Sequence, residues 1–268
     1  MKLSIALFAL CGSAATALAQ VTYTTGTYTQ DFTTLANSGS TAPWANNSTL
    51  LGWFSFGSSA GSNTIREPTS NSVIVQRIDT GSGNSGGLMS YGSAASTDRA
   101  LGSLGSASFE SVILLVVQNN NTFDLTSFTL AFTGEQWRNG APSPNAAQSL
   151  VFDYTVLSSL PTATEATANY LTGYTAVPAL NFTSPIATGT TAAALDGNAA
   201  ANRTAISQTV TATIPAGSYL VMRWWDNNDP SNDHGLALDD VSFSAIPTPG
   251  AAALLGMGLL ASTRRRRA

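Results

Sequence analysis

The feature that most constrains the fold is a repeated alternation of apolar and polar residues, interrupted by turn-forming residues. In one such stretch, Phe128, Leu130 and Phe132 fall on the same side of an extended chain. The same period of two returns at residues 150–156, 206–214, 219–225 and 236–244. A period of two places the apolar side chains on one face of a strand. Apolar residues at helical spacing are nearly absent from the sequence. The pattern therefore predicts a series of strands that each bury one face.

One apolar run does not alternate. Residues 112–117 are apolar throughout, which is typical of a central strand covered on both faces. Loops rich in Gly, Asn and Pro separate the strands, notably at residues 80–87 and 139–147. Short strands with such loops predict an all-β fold, a single antiparallel β-sandwich of the jelly-roll or lectin-like kind. Residues 161–201 are rich in Ala and Thr and are predicted to be a long excursion with one short strand near 179–182.

The N-terminal residues have the layout of an export signal. Lys2 provides a basic start, residues 3–10 are apolar, and Ala17 and Ala19 are the small residues that a signal peptidase requires. We expect residues 1–19 to form a signal helix that is cleaved after Ala19. A lipoprotein signal at Cys11 is the alternative, but a bulky leucine precedes that cysteine.

The C-terminal residues 246–268 form a second targeting segment. An apolar stretch over residues 250–262 is shorter than the roughly 20 residues that cross a bilayer, so a short hydrophobic sorting helix is expected. A basic cluster after that stretch should stay on the cytoplasmic side of the membrane. The residues that define this tail are Pro247, Thr248, Pro249, Arg264, Arg265, Arg266 and Arg267.

This tail resembles the PEP-CTERM sorting signal of bacterial envelope proteins, with Pro-Thr-Pro in place of the usual Pro-Glu-Pro. The resemblance implies processing by signal peptidase and an exosortase-type enzyme, with transient or retained membrane association. The rest of the chain resembles an uncharacterised module of such sorted proteins, which implies a jelly-roll-like sandwich without assigning catalysis. The segments that carry this second resemblance are residues 28–32, the region of Trp53, and residues 98–102, 133–138, 195–198, 223–226 and 234–240.

Charge and cysteine content exclude some classes of protein. Residues 20–245 contain six arginines, no lysine and 15 acidic residues. Nucleic-acid binding depends on Lys and Arg that neutralise phosphates, so a nucleic-acid partner is not expected. Cys11 is the sole cysteine and lies in the predicted signal, so the mature domain should contain no disulfide.

Acidic residues are densest near the C-terminal end of the predicted domain. Calcium prefers six to eight oxygen ligands from carboxylates, amides and backbone carbonyls. The sequence therefore offers a possible calcium loop, although it lacks the order of an EF-hand, and turn formation by the same residues is the alternative. The carboxylates of this loop are Asp226, Asp229, Asp233, Asp239 and Asp240.

Tryptophans provide a second possible binding feature. Trp137, Trp224 and Trp225 are candidates for stacking on sugar rings, although packing in the core is the alternative. Because neighbouring residues of a strand point to opposite faces, one of Trp224 and Trp225 should be in the core. His234 is the only histidine and is expected to orient a loop.

The sequence therefore predicts an exported, non-enzymatic protein of the cell envelope or extracellular matrix. One alternative is a carbohydrate-binding module whose partner is an extracellular polysaccharide. Another is a glycan hydrolase, which needs two carboxylates across a cleft. Glu135 with Asp226 or Asp239 is the pair that this alternative would use.

Overall fold

The chain folds into β-strands joined by loops. A computed structural model describes residues 20–58, 65–66, 74–106, 109–160 and 173–247. Two short 3-10 turns lie in this part of the chain, at Pro178–Leu180 and Ala200–Asn202. The strands in chain order are β1 (Val21–Tyr23), β2 (Tyr28–Gln30), β3 (Thr41–Trp44), β4 (Trp53–Ser58), β5 (Ile65–Arg66), β6 (Ile74–Asp79), β7 (Gly87–Tyr91), β8 (Ala100–Leu104), β9 (Glu110–Asn119), β10 (Leu125–Asn139), β11 (Ser149–Leu157), β12 (Thr175–Ala176), β13 (Phe182–Thr183), β14 (Ala193–Ala194), β15 (Arg203–Ile214), β16 (Tyr219–Asp226) and β17 (Gly235–Pro247).

The strands form two sheets. The eight-stranded sheet has the order β12-β11-β16-β9-β4-β5, with β1 also against β9 and β13 against β11. The nine-stranded sheet has the order β14-β10-β17-β8-β7-β6-β3, with β15 against β10 and β2 against β17. Most pairs are antiparallel, but β1 with β9 and β6 with β7 are parallel. The all-β prediction is confirmed, whereas the prediction of an antiparallel sandwich does not hold at these two pairs. Local alternation does not report the relative direction of neighbouring strands, which depends on the path of the chain.

The core lies between the two sheets. Trp224 of the eight-stranded sheet meets Phe132 of the nine-stranded sheet edge to face, with ring centroids 5.7 Å apart. Phe128 and Tyr154 make a similar contact across the sheets at 5.3 Å. These aromatic contacts fix how the two layers pack, because offset and edge-to-face geometries are favoured over face-to-face stacking.

Strand β9 is buried on both faces, as its continuous apolar run predicts. Ile113 and Leu115 belong to the core between the sheets. Leu114 and Val116 belong to a second apolar cluster on the opposite, outer face of the eight-stranded sheet. The second cluster shows that this outer face is apolar over several neighbouring strands.

The predicted excursion contains more structure than one short strand. Within its described part, β12 and β13 pair with β11, and β14 pairs with the end of β10. Residues 161–172 lie outside the described residues. The short strands have few residues each, which is why an alternation pattern does not reveal them.

The last strand, β17, extends beyond the predicted domain boundary at residue 245. Pro247, the first residue of the predicted sorting signal, still pairs with Leu125 of β10. Both predicted terminal helices, at residues 1–19 and in the tail after Pro247, lie outside the described residues. Within the described ranges, no helix has the length and hydropathy needed to cross a membrane.

Candidate functional site

The outer face of the eight-stranded sheet carries a group of partly exposed aromatic rings, which we call the aromatic face. It consists of Phe54, Tyr174, Tyr219 and Trp225, all of them half-buried. The pairing of β16, β9 and β4 brings Phe54, Tyr219 and Trp225 to one side of the sheet, and Tyr174 precedes β12, which pairs with β11. The buried apolar side chains of the second cluster lie among them.

An arginine–carboxylate pair lies at the centre of the aromatic face. Arg223 Nε donates to Asp153 Oδ1 at 2.7 Å, and Nη2 donates to Oδ2 of the same carboxylate. The guanidinium carbon lies 3.7 Å from the centroid of the Tyr174 ring and 5.0 Å from that of Trp225. Such a bidentate pair between two rings is held in one geometry by charge-assisted hydrogen bonds and cation–π contacts.

The other two predicted stacking residues are in the interior. Trp224 is fully buried and stacks on Trp53 with ring centroids 5.9 Å apart. Trp137 is buried and stacks on Tyr91 at 6.0 Å. The prediction that Trp137 and Trp224 are available for a ligand is therefore wrong, because both rings are used in packing. Only Trp225 of the three remains partly exposed, since it points away from the core while Trp224 points into it.

The predicted calcium loop is divided by the fold. Asp226, Asp229 and Asp233 lie at the end of β16 and in the following loop, where burial raises the pKa of all three carboxyls and Asp229 adds to the rise at the other two. Asp239 and Asp240 lie further along β17, where Asp239 interacts electrostatically with Glu135 instead. Among the described residues, no group of three or more metal-ligating side chains converges on one point. The five carboxylates therefore do not form the single site that their spacing in the sequence predicts.

Asp226 is buried inside the sandwich. Its Oδ2 is 2.5 Å from the hydroxyl of Ser103, a residue of the nine-stranded sheet, so this bond connects the two layers. Burial, with smaller contributions from Asp233, Asp229 and Glu110, raises the pKa of Asp226 to about 8. The Asp226 carboxyl is therefore protonated in the folded protein at neutral pH.

A polar cavity of about 140 Å³ opens between the loops beside Asp226, and we call it the loop-end cavity. Asp233 forms part of its wall and is 7% exposed, and burial raises the pKa of this carboxyl to about 6. Arg138 contributes a cation to the same wall and also donates to the carbonyls of Gly81 and Ser82. The lining residues are Asn84, Leu104, Gly105, Ser106, Arg138, Ser231, Asn232 and Asp233.

His234 orients the loop beside this cavity, as predicted from its isolation in the sequence. Its Nδ1 accepts from the backbone N–H of Gly140 at 2.9 Å, and its Nε2 lies 3.1 Å from the carbonyl oxygen of Ala146. Gln148 adds two bonds, one to the backbone N–H of His234 and one to the carbonyl of Asn232. Burial lowers the pKa of His234, so the neutral imidazole, with Nε2 protonated, bridges the two loops.

The carboxylates proposed for hydrolysis are only partly brought together. Glu135 and Asp239 occupy the same outer face of the nine-stranded sheet, with Glu135 opposite Ala237 in the ladder. Asp226 points into the sandwich, so the pair of Glu135 with Asp226 is not formed. Burial raises the pKa of Glu135 to about 7 and that of Asp239 to about 8.

Both of these carboxyls are nearly inaccessible, with exposed fractions of 1% for Glu135 and 5% for Asp239. Glu135 Oε2 accepts from Trp137 Nε1 at 2.8 Å, which ties it to the buried Tyr91–Trp137 stack. A general acid must lie within hydrogen-bond reach of the bond that it protonates. The observed burial leaves little surface through which a substrate could meet either group.

Sequence reasoning did not identify Tyr174 and Asp153 as site residues. Asp153 stands at a polar position of an alternating strand, which is the ordinary place for a solvent-facing residue. Its role comes from the register that places it opposite Arg223. Tyr174 comes from the excursion, and nothing in its local sequence indicates that its ring covers a guanidinium.

Comparisons with known proteins give no family for this chain. No protein-family model and no curated protein sequence matches it. Among solved structures, it is similar to the CBM22-1 xylan-binding domain of Paenibacillus barcinonensis Xyn10C, with 11% identity and a TM-score of 0.34. That similarity covers 86% of this chain and 99% of the other.

Two further solved structures are similar over large parts of the chain. The K3 cleaved adhesin domain of Lys-gingipain from Porphyromonas gingivalis has 12% identity and a TM-score of 0.33, covering 76% of this chain and 98% of that one. The TmCBM61 module in complex with β-1,4-galactotriose has 8% identity and a TM-score of 0.28, covering 58% and 74%. At these values the similarities carry no argument about the function of this chain.

Proposed function

We propose that this chain is a non-enzymatic, jelly-roll-like domain that binds glycans on its aromatic face. The observation that supports the proposal is the set of half-buried rings around the Asp153–Arg223 pair. Aromatic rings offer apolar surface to the C–H face of a sugar. The adjacent Asp153 carboxylate can accept from its hydroxyls, while Arg223 holds that carboxylate in place.

The arrangement of the aromatic face favours binding over packing alone. The side chain of Arg223 is 4% exposed and that of Asp153 is 14% exposed, so the pair is already ordered before a ligand arrives. Trp225 is anchored by the same pair, since the guanidinium lies against its ring. A surface that is ordered in advance loses less conformational entropy when a ligand binds.

The charge of the domain restricts the kind of glycan. Six arginines against 15 acidic residues give residues 20–245 a net negative charge. This charge repels polyanions and favours neutral or cationic polymers. We therefore expect the partner to be a neutral or amine-bearing extracellular polysaccharide rather than an acidic one.

Binding of the protein to neutral polysaccharides tests this proposal. In affinity electrophoresis through gels that contain xylan, β-glucan, galactan or the amine-bearing polymer chitosan, at least one polymer should retard the protein. Trp225→Ala should abolish the retardation, because it removes a ring from the aromatic face. Leu51→Ala is the matched control, since Leu51 is a 51% exposed apolar residue that does not belong to that face. Equal retardation of all three proteins, or no retardation by any neutral or amine-bearing polymer, would refute the proposal.

We propose further that the protein is exported and sorted by its two terminal segments. The supporting observation is the sequence layout alone, with a cleavable signal over residues 1–19 and a Pro-Thr-Pro, apolar and arginine-rich tail. A truncation after Pro247 leaves β17 complete and removes the rest of the tail. Cell fractionation should then show more protein in the medium than for the full chain. An unchanged distribution would contradict the sorting role.

A further inference from the structure

The loop-end cavity is too small for a polymer. Its volume of about 140 Å³ is below the roughly 300–1,000 Å³ of pockets that hold drug-sized ligands. It can accommodate one small ring or the end of a chain. The lining is mainly polar, with amides, hydroxyls, one carboxylate and one guanidinium.

Asp233 presents an unused acceptor to this cavity. Its side chain is 7% exposed, and its Oδ1 accepts from the backbone N–H of Asp229 at 2.8 Å. Among the described residues, no donor bonds its Oδ2. A ligand that donates to this oxygen would therefore gain a charge-assisted bond.

The position of this carboxylate is fixed by the surrounding loops. Gly105 and Gly140 allow close approach, because a Cβ on Gly105 would lie 2.8 Å from Asp233 Oδ1 and one on Gly140 would lie 2.2 Å from the Asp233 carbonyl oxygen. His234 and Gln148 hold the next part of the loop by hydrogen bonds. The acceptor is therefore ordered in advance of binding.

The local charge favours a cation. Asp229 and Glu110 act electrostatically on Asp233, whereas Arg138 is the cation among the residues that line the cavity. The lining itself pairs one carboxylate with one guanidinium, so the negative charge that attracts a cation comes from Asp229 and Glu110 outside it. Only one carboxylate lines the cavity, which suits an ammonium group with its three donors better than a metal ion that requires several carboxylates.

We propose that the loop-end cavity binds a single amino-sugar unit, with its protonated amine on Asp233 Oδ2 and its hydroxyls against Arg138, Asn84 and Asn232. The inference rests on the proposed glycan-binding function but uses a different surface. The loops recognise one amine-bearing sugar residue in this proposal, and the aromatic face binds along the polysaccharide.

Calorimetric titration of the full-length protein with glucosamine, N-acetylglucosamine, glucose and ethanolamine tests this proposal. Glucosamine should bind at least ten times more tightly than each of the other three, because only it combines the charge with the ring hydroxyls. Asp233→Asn keeps an oxygen for the Asp229 N–H and should lower glucosamine affinity at least tenfold. Asp31→Asn removes the same charge from an exposed residue that does not line the cavity and should change affinity less than threefold.

Trp225→Ala separates this inference from the proposed function, because it should leave glucosamine affinity unchanged while abolishing polymer binding. Polymer binding without glucosamine binding would overturn the inference alone. Glucosamine binding without polymer binding would overturn the aromatic-face proposal alone. Equal affinities for glucosamine and glucose would refute the ammonium contact. Equal affinities for glucosamine and ethanolamine would refute the contacts to the sugar ring and would indicate a site for simple amines such as a lysine side chain. Unchanged glucosamine affinity in Asp233→Asn would also refute the assignment.

Discussion

Replacement of Asp226 by asparagine should stabilise the protein in a pH-dependent way. Asp226 is buried, and its pKa in the folded protein is about 8. In the unfolded chain the pKa of an aspartate is about 3.9, so between these two values unfolding releases a proton. The free energy of unfolding contributed by this group is therefore highest at low pH and falls as pH rises toward 8.

The size of the effect follows from the pKa difference. Each unit of difference corresponds to about 1.4 kcal/mol, so the ceiling between pH 5 and pH 7 is about 3 kcal/mol. Relaxation of the buried site reduces such effects, and we expect the free energy of unfolding of Asp226→Asn to gain about 1–2 kcal/mol relative to wild type over that interval. The amide oxygen of asparagine can still accept from Ser103, so the bond between the sheets is retained.

Urea denaturation of both proteins at pH 5, 6, 7 and 8 measures this difference. Glu135 and Asp239 also have raised pKa values, so wild-type stability itself should fall with pH. The difference between the free energies of unfolding of the two proteins isolates the contribution of Asp226. Asp31→Asn, which alters an exposed carboxyl, is the control for the loss of a carboxylate as such. A difference for Asp226→Asn that is constant, or that shrinks as pH rises, would refute the reasoning.

Three further changes test the fold. Val116→Asp should lower the free energy of unfolding by about 4 kcal/mol or more, because it buries a charge in the strand that is covered on both faces. Loss of the native circular-dichroism spectrum or of the melting transition would report this destabilisation. Gly134→Ala should lower the free energy of unfolding measured in urea by about 1–3 kcal/mol, because its Cβ would lie 2.2 Å from the ring of Phe182. An unchanged midpoint of urea denaturation would contradict this packing. Millimolar calcium should leave the melting temperature unchanged, since the acidic residues are divided between two places, and a rise that is cancelled by Asp239→Asn with Asp240→Asn would restore the calcium hypothesis.

The sequence by itself determined the fold class and the central strands. Alternation identified β10, β11, β15, β16 and β17, and the continuous run at residues 112–117 identified β9, because burial on one or both faces dictates which side chains a strand can carry. It identified none of the strands before β9. Several of these are only two to six residues long, and β7 and β8 are buried at every position, so they show little alternation.

Only the tertiary structure decided which polar and aromatic residues share a site. Asp226 and Asp239 are close in sequence but lie on different sheets, because the chain leaves β16 and crosses the sandwich before it enters β17. Trp224 and Trp225 were predicted to face opposite ways, but the register of β16 against its neighbours was needed to show which one is in the core. Asp153 and Arg223 are 70 residues apart and meet through strand pairing. Such contacts depend on pairing between distant segments, which no local pattern of residues records.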